Sequence, residues 1–151
     1  MDLESLKELI ADHSARPRNR RASESSTHFC CGKNPLCGDE IQLALTVSND
    51  LIEEITFLGH GCGISQASAS ILTESIKGLS TTDAIHLYER LHATILDHSS
   101  QALDASLATI WTEIEPLAEI RINPMRVKCV TLAWHTLHHA LKGQSITTTE
   151  D

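Results

Sequence analysis

Residues 40–59 constrain this chain more than any other stretch. From Glu40 to Ser48 the side chains alternate, with Ile41, Leu43, Leu45 and Val47 on one side and Gln42, Ala44, Thr46 and Ser48 on the other. A period of two is the mark of a half-buried strand. Asn49-Asp50 then reads as a hairpin turn. Leu51 to Gly59 returns as a second strand that offers Ile52, Ile55 and Phe57 to a core. A short edge strand from His28 to Gly32 precedes them, so the spacing predicts a three-stranded antiparallel meander.

Such a sheet needs cover for its apolar face, and the flanking segments supply it. Leu3, Leu6, Leu9, Ile10 and His13 recur near a 3.6-residue period, which predicts a helix over 3–14. It ends ahead of Pro17, because the residue before a proline avoids helical geometry. Ser65 is the expected cap of a helix running to about Lys77, with Ile64, Ala67, Ile71, Leu72 and Ile76 on one face. Its run Gln66-Ala67-Ser68-Ala69-Ser70 is nearly all small, so another element can pack close. Ala84 to His98 reads as an amphipathic helix broken by Ser99-Ser100. Helical composition returns over 101–112, and a short helix is expected around Pro116, from Ile114 to Ile120. A last helix starts at Pro124 and runs to about Lys142; Gly143 ends it, and 144–151 is expected as a disordered tail. The prediction is one α+β domain over 1–151, with a sheet at about 28–59 packed against a helical part at about 64–142.

Composition narrows the function. Aromatic residues are only 3%, so the core must be aliphatic. Twelve basic against twenty acidic residues give a net charge of −8. That argues against nucleic acid or an anionic membrane as a partner. No apolar run is long enough to span a bilayer, and the acidic start Met1-Asp2-Leu3-Glu4 has neither secretory nor transit character. The run Arg18-Asn19-Arg20-Arg21 is basic within an acidic chain; it reads as a solvated loop or, more sharply, as a docking patch. The five cysteines, at 30, 31, 37, 62 and 129, are an odd number. A disulfide framework prefers even counts, so a reducing cytoplasm is expected.

Three of these thiols sit in marked places. Cys37 lies in the turn Asn34-Pro35-Leu36-Cys37-Gly38-Asp39, two residues from a carboxylate. Cys62 lies in Gly59-His60-Gly61-Cys62-Gly63-Ile64-Ser65, just before a helix N-terminus, which favours negative charge there. This is not a dinucleotide fingerprint, because its sixth residue is Ile64. Cys129 falls within two turns of Pro124. Three thiolates and the Asp39 carboxylate would suit tetrahedral zinc and equally the thiolate ligation of iron–sulfur chemistry. Spacing leaves open whether they converge or are three separate small hydrophobes. Cys30 and Cys31 are adjacent on a strand and must face opposite ways, so they are expected outside any common site, with Cys31 nearer its mouth. His60 is expected in solvent. His135 and His139 share an i,i+4 face that could bind metal adventitiously, with a surface role preferred.

The motifs together carry a resemblance. Asp12-His13 with Pro17-Arg18-Asn19, Asn34 to Asp39, Gly59 to Ser65, Ala67-Ser68-Ala69-Ser70, and Arg126-Val127-Lys128-Cys129 with Leu132 resemble the U-type iron–sulfur cluster assembly proteins, the family of IscU and the N-terminal domain of NifU. In the cluster-holding IscU branch a histidine directly precedes the last cysteine; here that residue is Lys128. The path from Cys62 to Cys129 is also longer, with room for an extra helical segment near 79–112. Both features are similar to the SufU branch.

That resemblance implies a metal site at one end of the sheet, with zinc held by Cys37, Asp39, Cys62 and Cys129. It implies sulfur transfer from a pyridoxal-phosphate cysteine desulfurase to Cys37 as acceptor, and hand-over to downstream iron–sulfur assembly proteins. Asp39 is a harder and weaker ligand than thiolate and would keep the site labile, while Arg126 is a candidate stabiliser of a thiolate. The alternative is a scaffold on which an iron or [2Fe-2S] cluster is built and transferred; a third reading is a structural zinc domain for protein interaction. Lys7, Ser14 and Arg21 depart from the family pattern and bear on partner contacts of the N-terminus.

Overall fold

The structure is a computed structural model that describes residues 3–96 and 102–149. Strands β2 (Asp39–Ser48) and β3 (Leu51–His60) form the expected hairpin. Asn49 and Asp50 take φ of 52° and 63°, the left-handed pair of a type I′ turn, whose twist matches the flanking strands. Ile52, Ile55 and Phe57 are spaced three and then two, so a regular strand cannot bury them all. A β-bulge corrects the phase: Ile52 pairs with Val47 and Glu54 with Thr46, leaving Glu53 unpaired. All three side chains are then buried.

Strand β1 (His28–Asn34) runs two residues past its expected end and pairs antiparallel with β2, from His28↔Leu45 to Asn34↔Asp39. The sheet is nevertheless not a three-stranded antiparallel meander. A fourth strand, β4 (Ile146–Thr148), pairs in parallel with β1, giving the mixed order β3-β2-β1-β4. It arises within the segment expected as a disordered tail. Two causes combine. Ile146-Thr147-Thr148-Thr149 is an unbroken β-branched run, and β1 would otherwise expose an open edge. The Cys31 N–H donates to Ser145 O at 2.8 Å, and the Thr149 N–H to Lys33 O at 3.0 Å.

Among the described residues, five α-helices accompany the sheet: α1 (Leu3–Ala15), α2 (Gly63–Ile76), α3 (Thr81–Leu96), α4 (Ala108–Ile114) and α5 (Val127–Leu141). The segments expected as helix around Pro116 and at the start of the last helix are 3-10 turns, Glu115–Ile122 and Pro124–Arg126, and a further one covers Ala105–Leu107. Each proline enters a tight turn at its first positions, where its missing N–H costs nothing. The expected extension of α3 to His98 and its break at Ser99-Ser100 lie outside the described residues. No described helix is long and apolar enough to cross a membrane.

Small residues decide how closely the helices approach. On α2, Ser65, Ala67, Ser68, Ala69 and Ser70 are all buried. Ser68 Oγ donates to Val130 O at 2.7 Å and accepts from Trp134 Nε1 at 3.2 Å, joining α2 to α5. Ser70 Oγ meets His13 Nδ1 at 2.7 Å and accepts the Arg18 N–H at 2.8 Å, joining α2 to α1 and its following loop. On the sheet side, a Cβ on Gly32 would collide with the Thr136 side chain, so this glycine lets α5 lie against β1. The arginines of the basic run all have partners, although Arg20 and Arg21 remain exposed. Arg18 pairs with Asp12 (2.8 Å) and Glu74 (3.3 Å), Arg20 donates to Gly59 O (3.0 Å), and Arg21 pairs with Glu54 (3.3 Å).

Candidate metal centre

The β1–β2 connection is the four-residue loop Pro35–Gly38, closed by Cys37 N–H (3.3 Å) and Gly38 N–H (2.9 Å) donating to Asn34 O. This places Cys37, exposed, at the tip of the hairpin. Asp39 is the first residue of β2 and is buried. Because Glu40 pairs with His60 across the sheet, the chain leaving β3 passes directly beside Asp39. Gly61 makes that passage possible. Its φ is +134°, and a Cβ there would run into the Asp39 side chain and backbone.

The chain then enters α2 with Cys62 at the N-cap, in extended geometry. Ser65, the expected cap, instead sits inside the first turn and donates to Cys62 O at 3.0 Å. An orphan N–H at this helix end is taken up from outside: the Cys62 N–H donates to Asp39 Oδ1 at 2.8 Å. The Cys62 sulfur lies 3.8 Å from Asp39 Oδ2. Cys129, in the first turn of α5 and buried, brings its sulfur to 3.8 Å from that of Cys37.

Ligand atoms of Cys37, Asp39 and Cys129 all lie within 4.8 Å of one another. Cys62 falls outside that mutual set, but its sulfur contacts Asp39. The four residues singled out from sequence thus come together at the end of the sheet nearest the starts of α2 and α5. Their electrostatics are one-sided. Burial pushes the Cys129 thiol well above its ordinary value, and Cys62, Cys37 and Asp39 push it the same way. Among the described residues, Arg126 is the cation that interacts with the cluster. Its guanidinium is exposed, and Cys129 first, then Cys62 and Cys37, raise it above its ordinary value.

The other candidates stand apart. Cys30 points into the core, where burial and then Cys31 push its thiol up to about 11. Cys31, half-buried on the opposite face, is not part of the cluster. His60 is exposed and faces Glu40 at 3.8 Å. His135 and His139 meet edge to face with ring centres 4.4 Å apart, and their ring nitrogens meet Thr147 and Gln144. Among the described residues, no histidine group qualifies as a metal cluster. Lys128 lines a cavity of about 290 Å³ with Tyr88, His92 and His135.

Sequence reasoning passed over Asn34 as a working residue. It is buried, and its Nδ2 reaches Asp39 Oδ2 at 3.5 Å. The signal was available. Asn34 continues the period-two series Cys30, Gly32, Asn34 on the buried face of β1, and a polar side chain in a core slot needs partners.

Residues 5–109 match the NifU-like N terminal domain. The chain belongs to that family. It is 37% identical over 134 residues to the "Iron-sulfur cluster assembly scaffold protein IscU" of Streptococcus pyogenes serotype M1, covering 89% of this chain and 80% of that protein. It is 34% identical over 131 residues to the "Zinc-dependent sulfurtransferase SufU" of Bacillus subtilis (strain 168), covering 87% and 85%. A crystal structure of a putative iron–sulfur cluster assembly scaffold protein for the SUF system from Fervidobacterium islandicum AW-1 superposes with a TM-score of 0.77 at 33% identity, covering 89% of this chain and 94% of that one. The chain is therefore a member of an iron–sulfur cluster assembly scaffold family. Cys129 lies beyond the matched domain stretch.

Proposed function

We propose that this protein is a zinc-binding sulfur acceptor of iron–sulfur cluster assembly, acting in the cytoplasm. It would take persulfide sulfur from a pyridoxal-phosphate cysteine desulfurase and pass it to downstream assembly proteins. One observation carries the reading. Cys37 is exposed on a short loop, while the groups it meets, Asp39 and Cys129, are buried. An acceptor thiol has to be reached by a second protein; a purely structural ligand does not.

The donor set suits the metal. Three sulfurs and a carboxylate oxygen match the ligand types of tetrahedral zinc, and a cluster whose anions push Cys129 upward calls for a cation. Cys37, Asp39, Cys62 and Cys129 would hold it. Bound zinc would keep these thiolates deprotonated at neutral pH and shield them from oxidation. The SufU-type branch is favoured by Lys128, which stands where the cluster-holding branch has histidine, and by the zinc-dependent relative.

The chain's own residues supply the rest. The Pro35–Gly38 loop presents Cys37 beside exposed Leu36, and Met125 beside Arg126 is also exposed. These apolar side chains suit a protein partner. The Cys37 thiolate attacks the outer sulfur of the desulfurase persulfide. A new S–S bond forms on Cys37, the donor's S–S bond breaks, and the desulfurase cysteine leaves as thiolate. Arg126 offsets negative charge on Cys129 as Cys37 turns outward.

The test mixes the protein with a desulfurase and free cysteine. Alanine formation should rise, and mass spectrometry should find one added sulfur on Cys37; Cys37→Ser should abolish both. No stimulation and no captured sulfur would overturn the reading. The scaffold reading draws on the name of the Streptococcus pyogenes relative. It predicts brown protein as purified and stable transfer of a reconstituted cluster to an apo-ferredoxin.

A further inference from the structure

The fourth strand reaches the candidate ligands through side chains, not only through the sheet. Thr149, just past β4, donates its hydroxyl to Asn34 Oδ1 at 3.3 Å. Asn34 Nδ2 in turn donates to Asp39 Oδ2 at 3.5 Å. The Asp39 carboxylate is therefore held on both oxygens, since Oδ1 takes the Cys62 N–H at 2.8 Å.

The direction of this relay follows from charge. Asn34 has one acceptor and one donor end, and the reversed amide would aim its carbonyl oxygen at a carboxylate. The Thr149 hydroxyl, as donor, selects the same orientation that Asp39 requires. The relay crosses from β4 to β1 to β2 at one end of the sheet, where Asn34↔Asp39 is the last antiparallel pair. Asn34 and Asp39 are each 1% exposed, so water does not readily replace a lost partner.

We propose that Asn34 and Thr149 are positioning residues, and that the C-terminal strand is a latch fixing the Asp39 carboxylate for metal ligation. The inference rests on the reading that Asp39 is a metal ligand. Partners that hold a ligating carboxylate set its orientation, and losing one typically costs about 10–100-fold in metal affinity. β4 must pair with β1 for Thr149 to reach Asn34.

Thr149→Val is the cleanest variant. It is isosteric and keeps the backbone bond from Thr149 N to Lys33 O (3.0 Å), so only the hydroxyl is lost. Zinc affinity is read by chelator competition, and the d–d spectrum of the cobalt-substituted protein reports ligand geometry. The Asn34 side-chain amide resonances in metal-free protein give a readout independent of any metal. Asn34→Ala should weaken zinc about 10-fold or more. Thr149→Val should weaken it by a smaller factor, shift the cobalt bands and move the Asn34 amide signals. Thr149→Ser, which restores the hydroxyl, should behave as the parent protein. Thermal melting and circular dichroism confirm that each variant is folded.

Thr149→Val with parental zinc affinity, cobalt spectrum and Asn34 signals overturns the latch. If the parent protein and Asp39→Ala bind zinc alike, the ligand role of Asp39 falls, and the latch falls with it. Parental binding that depends on Asp39 but not on Thr149 removes the latch alone.

Discussion

Two polar clusters flank α2, and they are built on opposite electrostatic plans. At its N-terminus, Cys37, Asp39, Cys62 and Cys129 gather groups that become anionic, with the exposed Arg126 as the single cation among the described residues that interacts with them. Along its side, Asp12, His13, Arg18, Ser70 and Glu74 alternate sign and close on one another. Arg18 bridges Asp12 and Glu74, and Ser70 ties His13 to the Arg18 backbone. The shifts follow. Cys129 is driven up by burial and by its neighbours, whereas Arg18 and then Arg16 hold the Asp12 carboxyl down at about 2. The second cluster is complete as it stands and pins α1 to α2. The first, on the proposed reading, is completed by a cation. Two polar clusters on one helix would then serve different roles, one in holding the fold and one in holding a ligand.

The largest test of this contrast is metal itself. Zinc in thousandfold excess over its Kd should stabilise the protein by about 4 kcal/mol if the unfolded chain does not bind it. Cys129→Ala should abolish that gain. Titrating zinc against urea unfolding measures it, and a gain that survives Cys129→Ala would break the contrast. The next effect lies in the closed cluster. Ser70→Ala leaves the His13 ring nitrogen and the Arg18 N–H without their shared partner in a buried site, at a cost of about 1–3 kcal/mol. That loss should be the same with and without zinc. A zinc-dependent loss would show that the two ends of α2 are coupled.

The sequence was most legible where periodicity and turn chemistry spoke together. The hairpin alternation, the Asn49-Asp50 turn and the small-residue face of α2 all appear as expected, because each is decided by residues close in the chain. The convergence of Cys37, Asp39 and Cys62 also had a local basis, since the register of one hairpin brings the start of β2 beside the end of β3. Three features were not legible. The bulge at Glu53 shows only in the broken spacing of Ile52 and Ile55. The strand Ile146–Thr148 depends on the free edge of β1, more than a hundred residues away, against which a polar tail gains a ladder. The period of β1 marks Asn34 as buried, but its partner Thr149 depends on that strand in turn. Cap position failed for a different reason: a Ser three residues inside a helix satisfies the same rule as a true cap, and only the Asp39 carboxylate, arriving from another element, decides between them.

Acid separates the clusters further. Burial, and then the charge of Arg18, hold His13 below its ordinary value, with Glu74 and Asp12 opposing. The fold therefore favours the neutral ring. That contribution is intact above about pH 6.5 and is lost as pH falls through the lowered folded value. Asp12 moves in the same direction for the opposite reason, because its charged form is the favoured one. Its pairing is intact above about pH 4 and is lost as pH falls toward about 2. Metal-free protein should show these two windows in a pH series of urea midpoints, and His13→Gln should flatten the upper one. Zinc-loaded protein should lose additional stability as its thiolates take up protons. A metal-free profile that is flat below pH 6.5 would contradict the account of His13.

The smallest effect is the most discriminating within the closed cluster. Arg16 meets Asp12 at 2.6 Å, closer than Arg18 at 2.8 Å, so distance alone would rank it first. Its side chain, however, is 78% exposed against 31% for Arg18. Solvent screens it, and ordering a long side chain offsets what remains. Arg18 also reaches Glu74, which ties α1 to α2, while the Arg16 side chain, just past the end of α1, pairs with Asp12 on that same helix. Arg16→Ala should therefore leave the urea midpoint at neutral pH unchanged within error. It should raise the Asp12 carboxyl by a smaller step than Arg18→Met does, as read by NMR titration of the Asp12 carboxyl carbon. If Arg16→Ala costs as much stability as Arg18→Met, α1 is held by its own end and not by the bridge to α2.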